Sequence, residues 1–360
     1  MDAILLVGGF GTRLMPLTKH RPKPLMPLAN IPFTERTIAW LAAAGIDHVI
    51  LSVHYNTEQF IKHFSEKTLG VRLSFACEEQ PLGTGGAIRN CMPYLRSAQC
   101  LVVNGDIFTN LNLRALMAAH QRTQALVSIA LKTVEDPSRY GVIETNAAMG
   151  IRSFTEKPAR ELALSHEINA GIYLLERSAF EHFPDGASSV ERDVFPVMLR
   201  NTLPLFGFRS NPYWTDLGTP SDYLQAHQDI LQRRVALPLE GAEMKPGIWV
   251  GAQTQIAENA ILRPPLLLGQ RVTVESGAVL GPNLVLGHDV HIGGNVQLRD
   301  SVLWDHSVVD AQSRISNSIA GQQSQLGGVI VGGICADFEE IKHVAPQRTA
   351  MWDAGVSVNI

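Results

Sequence analysis

Apolar runs and helix-like stretches alternate through roughly the first 235 residues of the chain. The first run, residues 3–7, is continuously apolar and ends in glycines, which is typical of a strand buried on both faces. Further strands are predicted at residues 48–53, 71–77 and 101–103, with helices at residues 34–44, 58–67 and 85–95. This order predicts an α/β domain whose mostly parallel sheet is covered by helices.

A different period begins after Pro238, because apolar residues recur at every sixth position. The main positions are Val250, Ile256, Leu262, Leu268, Val274, Leu280, Leu286, Ile292, Leu298 and Trp304. A second set, two residues earlier in each hexad, is Ala260, Leu266, Val272, Ala278, Leu284, Val290, Val296, Val302 and Val308. The pattern resembles the hexapeptide repeat of left-handed parallel β-helices, with one phase slip predicted after Trp304. We expect an α/β domain at residues 1–235, a linker at 236–246, and a β-helix with a C-terminal tail at 247–360.

Composition narrows the class of protein. A chain of 360 residues, 45% hydrophobic and 18% charged, can bury a substantial core. Its formal net charge of -4 gives no long-range attraction to nucleic acid or to an anionic membrane. No apolar run approaches the roughly 18 residues of a membrane span, and the start is unlike a signal peptide, so we expect a cytosolic protein. The cysteines lack metal or disulfide spacing and are expected to be buried thiols; they are Cys77, Cys91, Cys100 and Cys335.

A glycine loop follows the first strand, where backbone N–H groups can approach phosphate oxygens. It is not a P-loop, because no Gly-Lys-Ser/Thr closes it, and Leu14 stands where a dinucleotide fingerprint needs its third glycine. Prolines stiffen the segment that follows, and Arg13 and Lys23 place two cations near one loop. Phosphate binding by this loop is therefore predicted. Asp106 is a further candidate for a functional residue, because it follows the strand at residues 101–103 and so lies at the same edge of the sheet.

The run from residue 8 to residue 25 resembles the signature of the sugar-nucleotide pyrophosphorylase family, G-G-x-G-T-R-L-x-P-L-T-x-x-x-P-K-P-L, at every specified position. Further motifs in family order extend the resemblance over the first 235 residues. They are Glu79-Gln80-Pro81-Leu82-Gly83-Thr84-Gly85, Asn104-Gly105-Asp106, Tyr140-Gly141-Val142, Glu156-Lys157-Pro158, Asn169-Ala170-Gly171 and Trp214-Thr215-Asp216-Leu217-Gly218. The resemblance implies a Rossmann-like nucleotidyltransferase domain that joins a nucleoside triphosphate to a sugar 1-phosphate and releases pyrophosphate.

The resemblance also implies roles for individual residues. Catalysis would rest on Arg13 at the triphosphate, Lys23 at the reacting phosphates, and Asp106 and Asp216 as ligands of Mg²⁺, a hard cation that prefers oxygen. The nucleotide-binding residues would be Gly8, Gly9, Gly11, Thr12, Leu82, Gly83 and Thr84. The sugar-phosphate-binding residues would be Gly141, Glu156, Lys157, Asn169 and Gly171, with Lys157 on the phosphate and Glu156 on the sugar hydroxyls.

A domain of this size followed by a β-helix resembles the mannose-1-phosphate guanylyltransferase branch, which implies GTP as the nucleotide and GDP-mannose as the product. Gly85-Gly86-Ala87 departs from that branch and is more like heptose-1-phosphate guanylyltransferases. An enzyme that uses glucose 1-phosphate with dTTP or UTP is a further alternative. A non-catalytic regulatory paralogue is the alternative of another class, but Arg13, Lys23, Asp106, Lys157 and Asp216 are all present.

The β-helix is expected to form a homo-oligomer, because its flat faces and exposed strands need covering. A second activity, acyl transfer with His288, His291 or His306 as general base, is the remaining alternative. Histidines at such corners are more often solvated surface residues. The C-terminal segment, residues 339–360, is a further candidate, either for binding a partner or for regulating activity.

Overall fold

The computed structural model describes residues 1–54, 57–65, 67 and 69–344. The helices are α1 (Phe33–Ala43), α2 (Thr57–Ser65), α3 (Gly83–Asn90), α4 (Leu113–Thr123), α5 (Phe195–Arg200) and α6 (Pro220–Leu231). The strands before α6 are β1 (Asp2–Leu6), β2 (Pro27–Leu28), β3 (Ile31–Pro32), β4 (His48–Val53), β5 (Arg72–Cys77), β6 (Gln99–Asn104), β7 (Ile107–Thr109), β8 (Val127–Thr133), β9 (Gly141–Thr145), β10 (Ile151–Glu156), β11 (Glu167–Glu176), β12 (Leu205–Arg209) and β13 (Trp214–Asp216).

The strands after α6 are short and regularly spaced. They are β14 (Ala242–Lys245), β15 (Ile248–Val250), β16 (Gln255–Ile256), β17 (Ile261–Leu262), β18 (Leu266–Leu268), β19 (Thr273–Val274), β20 (Val279–Leu280), β21 (Leu284–Leu286), β22 (His291–Ile292), β23 (Gln297–Arg299), β24 (Ser301–Leu303), β25 (Val308–Val309), β26 (Arg314–Ser316), β27 (Ile319–Ala320), β28 (Gln325–Val331), β29 (Ile334–Cys335) and β30 (Glu340–Val344).

By internal packing the chain divides into two compact units, each assembled from separate segments. Unit 1 contains Met1–Phe10, Pro22–Leu25 and Phe33–Asp216. Unit 2 contains Gly11–Arg21, Met26–Pro32 and the chain from Leu217 onward. Two pieces of the glycine-loop region and helix α6 thus pack with the repeats. The domain boundaries expected from the sequence stay a prediction.

Unit 1 is built on a nine-stranded mixed sheet. Its parallel half has the order β6-β1-β4-β5, and Ile4 of β1 lies opposite Ile50 and Val102. All three side chains are fully buried, which explains why these strands are continuously apolar. Strand β11 runs antiparallel to β6 and β8, and β12 is parallel to β8. This arrangement confirms the predicted α/β domain and brings the carboxyl ends of β1, β4 and β6 to one edge.

Unit 2 contains the left-handed parallel β-helix that the repeat predicts. Strands β15, β18, β21, β24, β27 and β29 stack in parallel on one face, each one coil after the last. Val250, Leu268 and Leu286 align in register and point into the core. Gly269 permits close stacking at a corner, because a Cβ there would lie 2.4 Å from the carbonyl oxygen of Gly287.

The predicted position of the phase slip is wrong. Leu286 pairs with Leu303 and not with Trp304, so the coil loses one residue between Leu298 and Ser301, before Trp304. Ser301 and Ser307 consequently take the inward positions assigned to Val302 and Val308, and both serines are fully buried. Val308 is exposed instead. A shift of one residue went unseen because Val302, Leu303 and Trp304 are apolar in either phase.

The cysteine prediction is wrong for one residue. Cys91, Cys100 and Cys335 are buried, whereas Cys77 is exposed, since it ends β5, the edge strand of the sheet. Burial raises the pKa of the Cys91 thiol to about 12. In the described ranges no helix is both long and apolar enough to cross a membrane. The cytosolic location stays a prediction, and most of the tail, residues 345–360, lies outside the described residues.

Candidate active site

A cleft of ≈ 330 Å³ opens in unit 1 at the carboxyl ends of β1, β4 and β6. The predicted site residues that line it are Gly8, Gly9, Lys23, Gly83, Thr84 and Asp106. Gly105 allows the ends of β1 and β6 to approach closely. The N–H of Gly105 donates to the carbonyl oxygen of Leu6 at 2.9 Å, and a Cβ on Gly105 would lie 2.3 Å from that oxygen. Only glycine fits there, and the turn it allows delivers Asp106 to the cleft.

The two predicted metal ligands meet at Lys23. Strand β13 pairs with β7 as a two-stranded antiparallel ribbon that sets Asp216 opposite Ile107, and so next to Asp106. Lys23 Nζ lies 2.9 Å from Asp106 Oδ2 and 3.8 Å from Asp216 Oδ1. The lysine side chain is only 10% exposed, so its charge is held between the two carboxylates rather than in solvent. Residues from three distant parts of the sequence thus form one charged cluster.

The start of α3 packs tightly on the chain before a π-helical turn at Val190–Val194. Gly83 has a positive φ of 66°, and a Cβ on it would lie 2.6 Å from the carbonyl oxygen of Ser188. That same oxygen accepts from Gly85 N–H at 2.8 Å. Leu82 does not line the cleft; its N–H donates to Glu78 Oε2 at 3.0 Å. The glycines of this segment are thus required for its packing as well as for access to a ligand.

An irregularity in β11 presents the residues predicted to bind the sugar. The pairing of β11 with β8 shifts register between Asn169 and Tyr173, and Gly171 there has φ +72°. Asn169 Oδ1 accepts from Gly171 N–H at 2.9 Å, and its Nδ2 donates to Tyr173 Oη at 2.8 Å. Burial raises the pKa of Tyr173 well above its ordinary value, which keeps the phenol a hydrogen-bond donor. A bulge of this kind re-aims side chains out of the ladder.

Gly141, Glu156 and Lys157 lie together at the end of the β9–β10 hairpin. Glu156 pairs in register with Gly141, and a Cβ on Gly141 would lie 3.0 Å from Glu156 Oε2. Lys157 follows with a left-handed φ of 49°, and its Nζ lies 3.3 Å from Glu156 Oε1. Because the Lys157 side chain is 59% exposed, it is accessible to an anionic ligand.

Gly11, Thr12 and Arg13 belong to unit 2 and form a tight turn there. Gly11 has φ +63°, and its carbonyl accepts from Leu14 N–H at 3.0 Å and from Thr18 Oγ1 at 3.0 Å. Arg13 is exposed on the short helical turn Thr12–Leu14. The roles predicted for these residues stay predictions.

The sequence analysis assigned no role to two acidic residues of this region. Glu78 lines the cleft, and its carboxylate accepts from Ser52 Oγ at 2.9 Å and from Leu82 N–H. Glu191 accepts from Thr84 Oγ1 at 2.7 Å and from Ser189 Oγ at 2.8 Å. Glu78 directly precedes a recognised motif and could have been found. Glu191 stands in no motif, and only the fold brings it to Thr84.

Comparison with known proteins identifies the family. The model of the family "Nucleotidyl transferase" matches residues 2–233, and the model "GMPPB C-terminal domain" matches residues 262–335. The chain belongs to the nucleotidyl transferase family. The match to this family spans the whole cleft and every residue predicted to act in it.

Relatives within the nucleotidyl transferase family share much of the chain. A mannose-1-phosphate guanylyltransferase of Mycobacterium tuberculosis is 36% identical over 274 residues, covering 72% of this chain and 76% of that protein. A probable mannose-1-phosphate guanylyltransferase 3 of Oryza sativa subsp. japonica is 33% identical over 356 residues, 95% of this chain and 97% of that one. The second match therefore extends through the β-helix.

Two solved structures are each similar to about three-fifths of the chain. HddC from Yersinia pseudotuberculosis, in complex with GMP-PN, is 30% identical with a TM-score of 0.55 and covers 62% of this chain and 97% of that chain. A UDP-glucose pyrophosphorylase complexed with UDP-glucose, 20% identical with a TM-score of 0.57 over 62% of this chain and 96% of that chain, shows the fold alone.

Proposed function

We propose that this protein makes GDP-mannose and pyrophosphate from GTP and mannose 1-phosphate. The observation that carries the proposal is the cluster of Lys23, Asp106 and Asp216 at one cleft. It occurs in a chain whose likeness to a probable mannose-1-phosphate guanylyltransferase extends over 95% of its length. A cleft of ≈ 330 Å³ is of the size that holds a nucleotide-like ligand.

The reaction brings two polyanions together. An oxygen of the sugar phosphate forms a bond to the α-phosphorus of GTP, while the bond from that phosphorus to the departing pyrophosphate breaks. Lys23 would place positive charge at the reacting phosphates, and the exposed Lys157 would bind the sugar phosphate. Arg13 keeps the role proposed for it at the triphosphate. Holding both substrates in line would supply much of the rate acceleration.

Asp106 and Asp216 fit a magnesium ion. Their carboxylates converge on one cation, the ammonium of Lys23, and Mg²⁺ is usually held by one or two carboxylates together with substrate phosphates and water. No cluster of three or more His, Cys, Asp or Glu side chains that could hold a metal exists in the described ranges. When bound, the ion would neutralise charge on the phosphate oxygens.

Glu156, Asn169 and Gly171 would bind the sugar. Glu156 supplies acceptors for hydroxyl groups, and Asn169 is already oriented by Gly171 N–H and Tyr173 Oη. Gly83 and Thr84 line the cleft and would bind the nucleotide base with main-chain groups. Leu82 would position them, because its N–H donates to Glu78 Oε2 and its carbonyl accepts from Ser188 N–H. Gly8 and Gly9 would contribute N–H groups to the phosphates.

Pyrophosphate release tests the proposal. The full-length protein is incubated with Mg²⁺, each of the four nucleoside triphosphates, and mannose, glucose and heptose 1-phosphates. We expect the highest kcat/KM for GTP with mannose 1-phosphate. A preference for dTTP or UTP, or for heptose 1-phosphate, would replace the substrate assignment but keep the reaction. Absence of turnover with every pair would favour the non-catalytic paralogue.

The alternative of acyl transfer gains no support from the β-helix histidines. His288 Nδ1 accepts from Gln270 N–H at 3.0 Å, and its Nε2 lies 3.3 Å from Glu240 Oε2. Both ring nitrogens are therefore engaged with neighbouring protein groups. His291 lies 3.1 Å from Glu275 Oε1 on an exposed face. These positions suit surface ion pairs better than a general base.

Homo-oligomer formation through the β-helix is part of the same proposal. Ile261, Val329 and Val331 are exposed apolar side chains on its strands, which supports an interface there. A fragment that ends at Leu237 should be of lower oligomeric state than the full chain in sedimentation. It should also melt earlier, because Tyr223 of α6 loses the hydrogen bond from Trp304 Nε1. Equal assembly of both proteins would contradict the proposed interface.

A further inference from the structure

Three consecutive residues of the segment Gly11–Arg21, here called the 11–21 loop, face three consecutive residues at the end of the β-helix in reverse order. The pairs are Lys19 with Glu339, His20 with Phe338, and Arg21 with Asp337. Lys19 Nζ lies 2.8 Å from Glu339 Oε1, and the rings of the second pair meet edge to face at 6.1 Å. All six residues belong to unit 2. These three pairs, here called the ladder, fix both the position and the direction of the end of the 11–21 loop.

Arg21 has the most contacts of the ladder. Its Nε lies 3.5 Å from Asp337 Oδ2, its Nη2 donates to Gln322 Oε1, and its Cζ lies 5.2 Å from the centre of the Trp304 ring. Asp337 and Trp304 are 4% and 2% exposed, so the guanidinium is held against buried groups. A planar guanidinium that is both paired and stacked is poorly replaced by lysine.

The receiving site is itself rigid. The other oxygen of Asp337, Oδ1, accepts from the backbone N–H of Gln322 at 2.7 Å. Trp304 donates its indole N–H to Tyr223 Oη at 3.0 Å, and Tyr223 in turn donates to the carbonyl of Pro27. Two separate coils and helix α6 thus hold the groups that contact Arg21.

We propose that Arg21 is a positioning residue, through which the last coils of the β-helix fix the conformation of the loop that carries Arg13. This inference rests on the proposed function for its catalytic consequence, but the anchoring itself does not depend on it. The chain runs from Arg21 through Pro22 into Lys23, which pairs with Asp106 and Asp216. Fixing Arg21 therefore restricts both cations of the glycine-loop region. The β-helix is then a support for catalysis in addition to an oligomer interface.

Two variants each remove the Arg21–Asp337 ion pair, here called the anchor, with little expected change to the fold. Asp337→Asn keeps an acceptor for Gln322 N–H but loses the charge that faces Arg21, and Arg21→Ala removes the other partner. Asp289→Asn is the matched control, since it breaks the Arg271 ion pair on the same β-helix, away from the loop residues. Amide hydrogen exchange of the 11–21 loop, kcat, KM and the melting temperature are measured for each protein.

In both anchor variants we expect faster exchange in the 11–21 loop, by about tenfold or more, while the control matches the wild type. We also expect kcat to fall by about 10- to 100-fold, with a smaller change in KM for the sugar phosphate. Arg21→Lys should restore part of kcat, and the double variant should be no worse than Arg21→Ala.

The outcomes separate the two proposals. Unchanged exchange in the loop of Arg21→Ala would overturn the anchoring, whatever the activity. Faster exchange with unchanged kcat would overturn the positioning role. If the wild type shows no nucleotidyl transfer at all, the proposed function fails, whereas the exchange data still decide whether the ladder holds the loop. Should Arg21→Ala fail to fold, the exposed Lys19–Glu339 pair gives the same test with Glu339→Gln, at a smaller expected effect.

Discussion

The ammonium of Lys23 and the carboxylate of Asp106 form an ion pair of 2.9 Å, and Asp216 reaches the same nitrogen at 3.8 Å. The β7–β13 ribbon creates this arrangement, because it sets Asp216 beside the residue that follows Asp106. A helix-capping role for Asp216 is excluded, since Thr219 caps α6 by accepting from Asp222 N–H at 3.2 Å. Asp216 is therefore not the N-cap of α6.

Asp106→Asn and Asp216→Asn should keep the fold but lose turnover by about 100-fold or more, by analogy with the removal of one electrostatic group from an active site. The side chains keep their size, whereas the charge that a magnesium site needs is lost. The check is kcat across a magnesium titration, with a thermal melt of each variant. Near-normal turnover with unchanged magnesium dependence would show that both carboxylates are structural.

Part of this site could be predicted from the sequence, because the glycine loop and Asn104-Gly105-Asp106 each follow an apolar strand, and neighbouring parallel strands end at one edge of the sheet. The sequence could not show that Lys23 stands between the two aspartates. That contact depends on an antiparallel ribbon between β7 and β13, whose residues carry no long-range signal of pairing. Glu191 was missed for the same reason, since only tertiary packing brings it to Thr84.

Glu191→Gln should raise KM for the nucleotide by about tenfold, which corresponds to ~1.4 kcal/mol. One carboxylate oxygen of Glu191, Oε2, accepts from both Thr84 Oγ1 and Ser189 Oγ, and the neutral amide oxygen of glutamine would accept these two hydrogen bonds more weakly. The start of α3 would be held less firmly to the π-helical turn. Glu181→Gln, an exposed change, is the control. An unchanged KM and melting temperature would mean that Glu191 does not order the segment.

The repeat could be recognised from its six-residue period, but its phase could not be followed through a corner that lost one residue. The apolar triplet Val302, Leu303 and Trp304 fits either phase. After it, one set of inward positions stays apolar, whereas the other set becomes serine, namely Ser307, Ser313, Ser318 and Ser324. The buried serine hydroxyls form hydrogen bonds with nearby backbone groups: Ser307 Oγ, for example, donates to the carbonyl of Trp304 at 2.7 Å. The hydrophobic pattern therefore fades where the coils continue.

Leu303→Ala tests the observed phase of the repeat, in which Leu303 points into the core and Val308 is exposed. Leu303 is fully buried in the β-helix core, so its truncation should destabilise unit 2 by about 2–5 kcal/mol, from lost burial and the cavity left behind. Val308→Ala, at an exposed position that the sequence had placed inside, should change stability by roughly 0.5 kcal/mol or less. Denaturant unfolding of the two variants measures both values. Equal destabilisation would contradict the observed phase.

Asp2→Asn should make the protein less stable, and by an amount that depends on pH. Burial alone would raise the pKa of Asp2, but hydrogen bonds from the backbone N–H groups of Ser97 and Arg96 and from His48 outweigh it and hold the pKa below the ordinary 3.8. Asp2 is only 2% exposed, and its Oδ2 accepts from Arg96 N–H at 2.6 Å and Ser97 N–H at 2.7 Å. Asparagine keeps one acceptor but loses the charge, at a cost of about 1.5–3 kcal/mol.

The sign of the pH effect follows from the lowered pKa of Asp2. A carboxylate whose pKa is lower in the folded state adds stability above its unfolded pKa, and this stability is lost as pH falls through the folded value. Urea unfolding of wild type and Asp2→Asn should therefore differ most above pH 3.8, and the difference should shrink as the pH falls below it. Asp185→Asn, whose side chain is 92% exposed, serves as the control and should show little difference throughout. A gap between wild type and Asp2→Asn that persists undiminished in acid would mean that packing around residue 2, and not its charge, stabilises the edge where β1 begins.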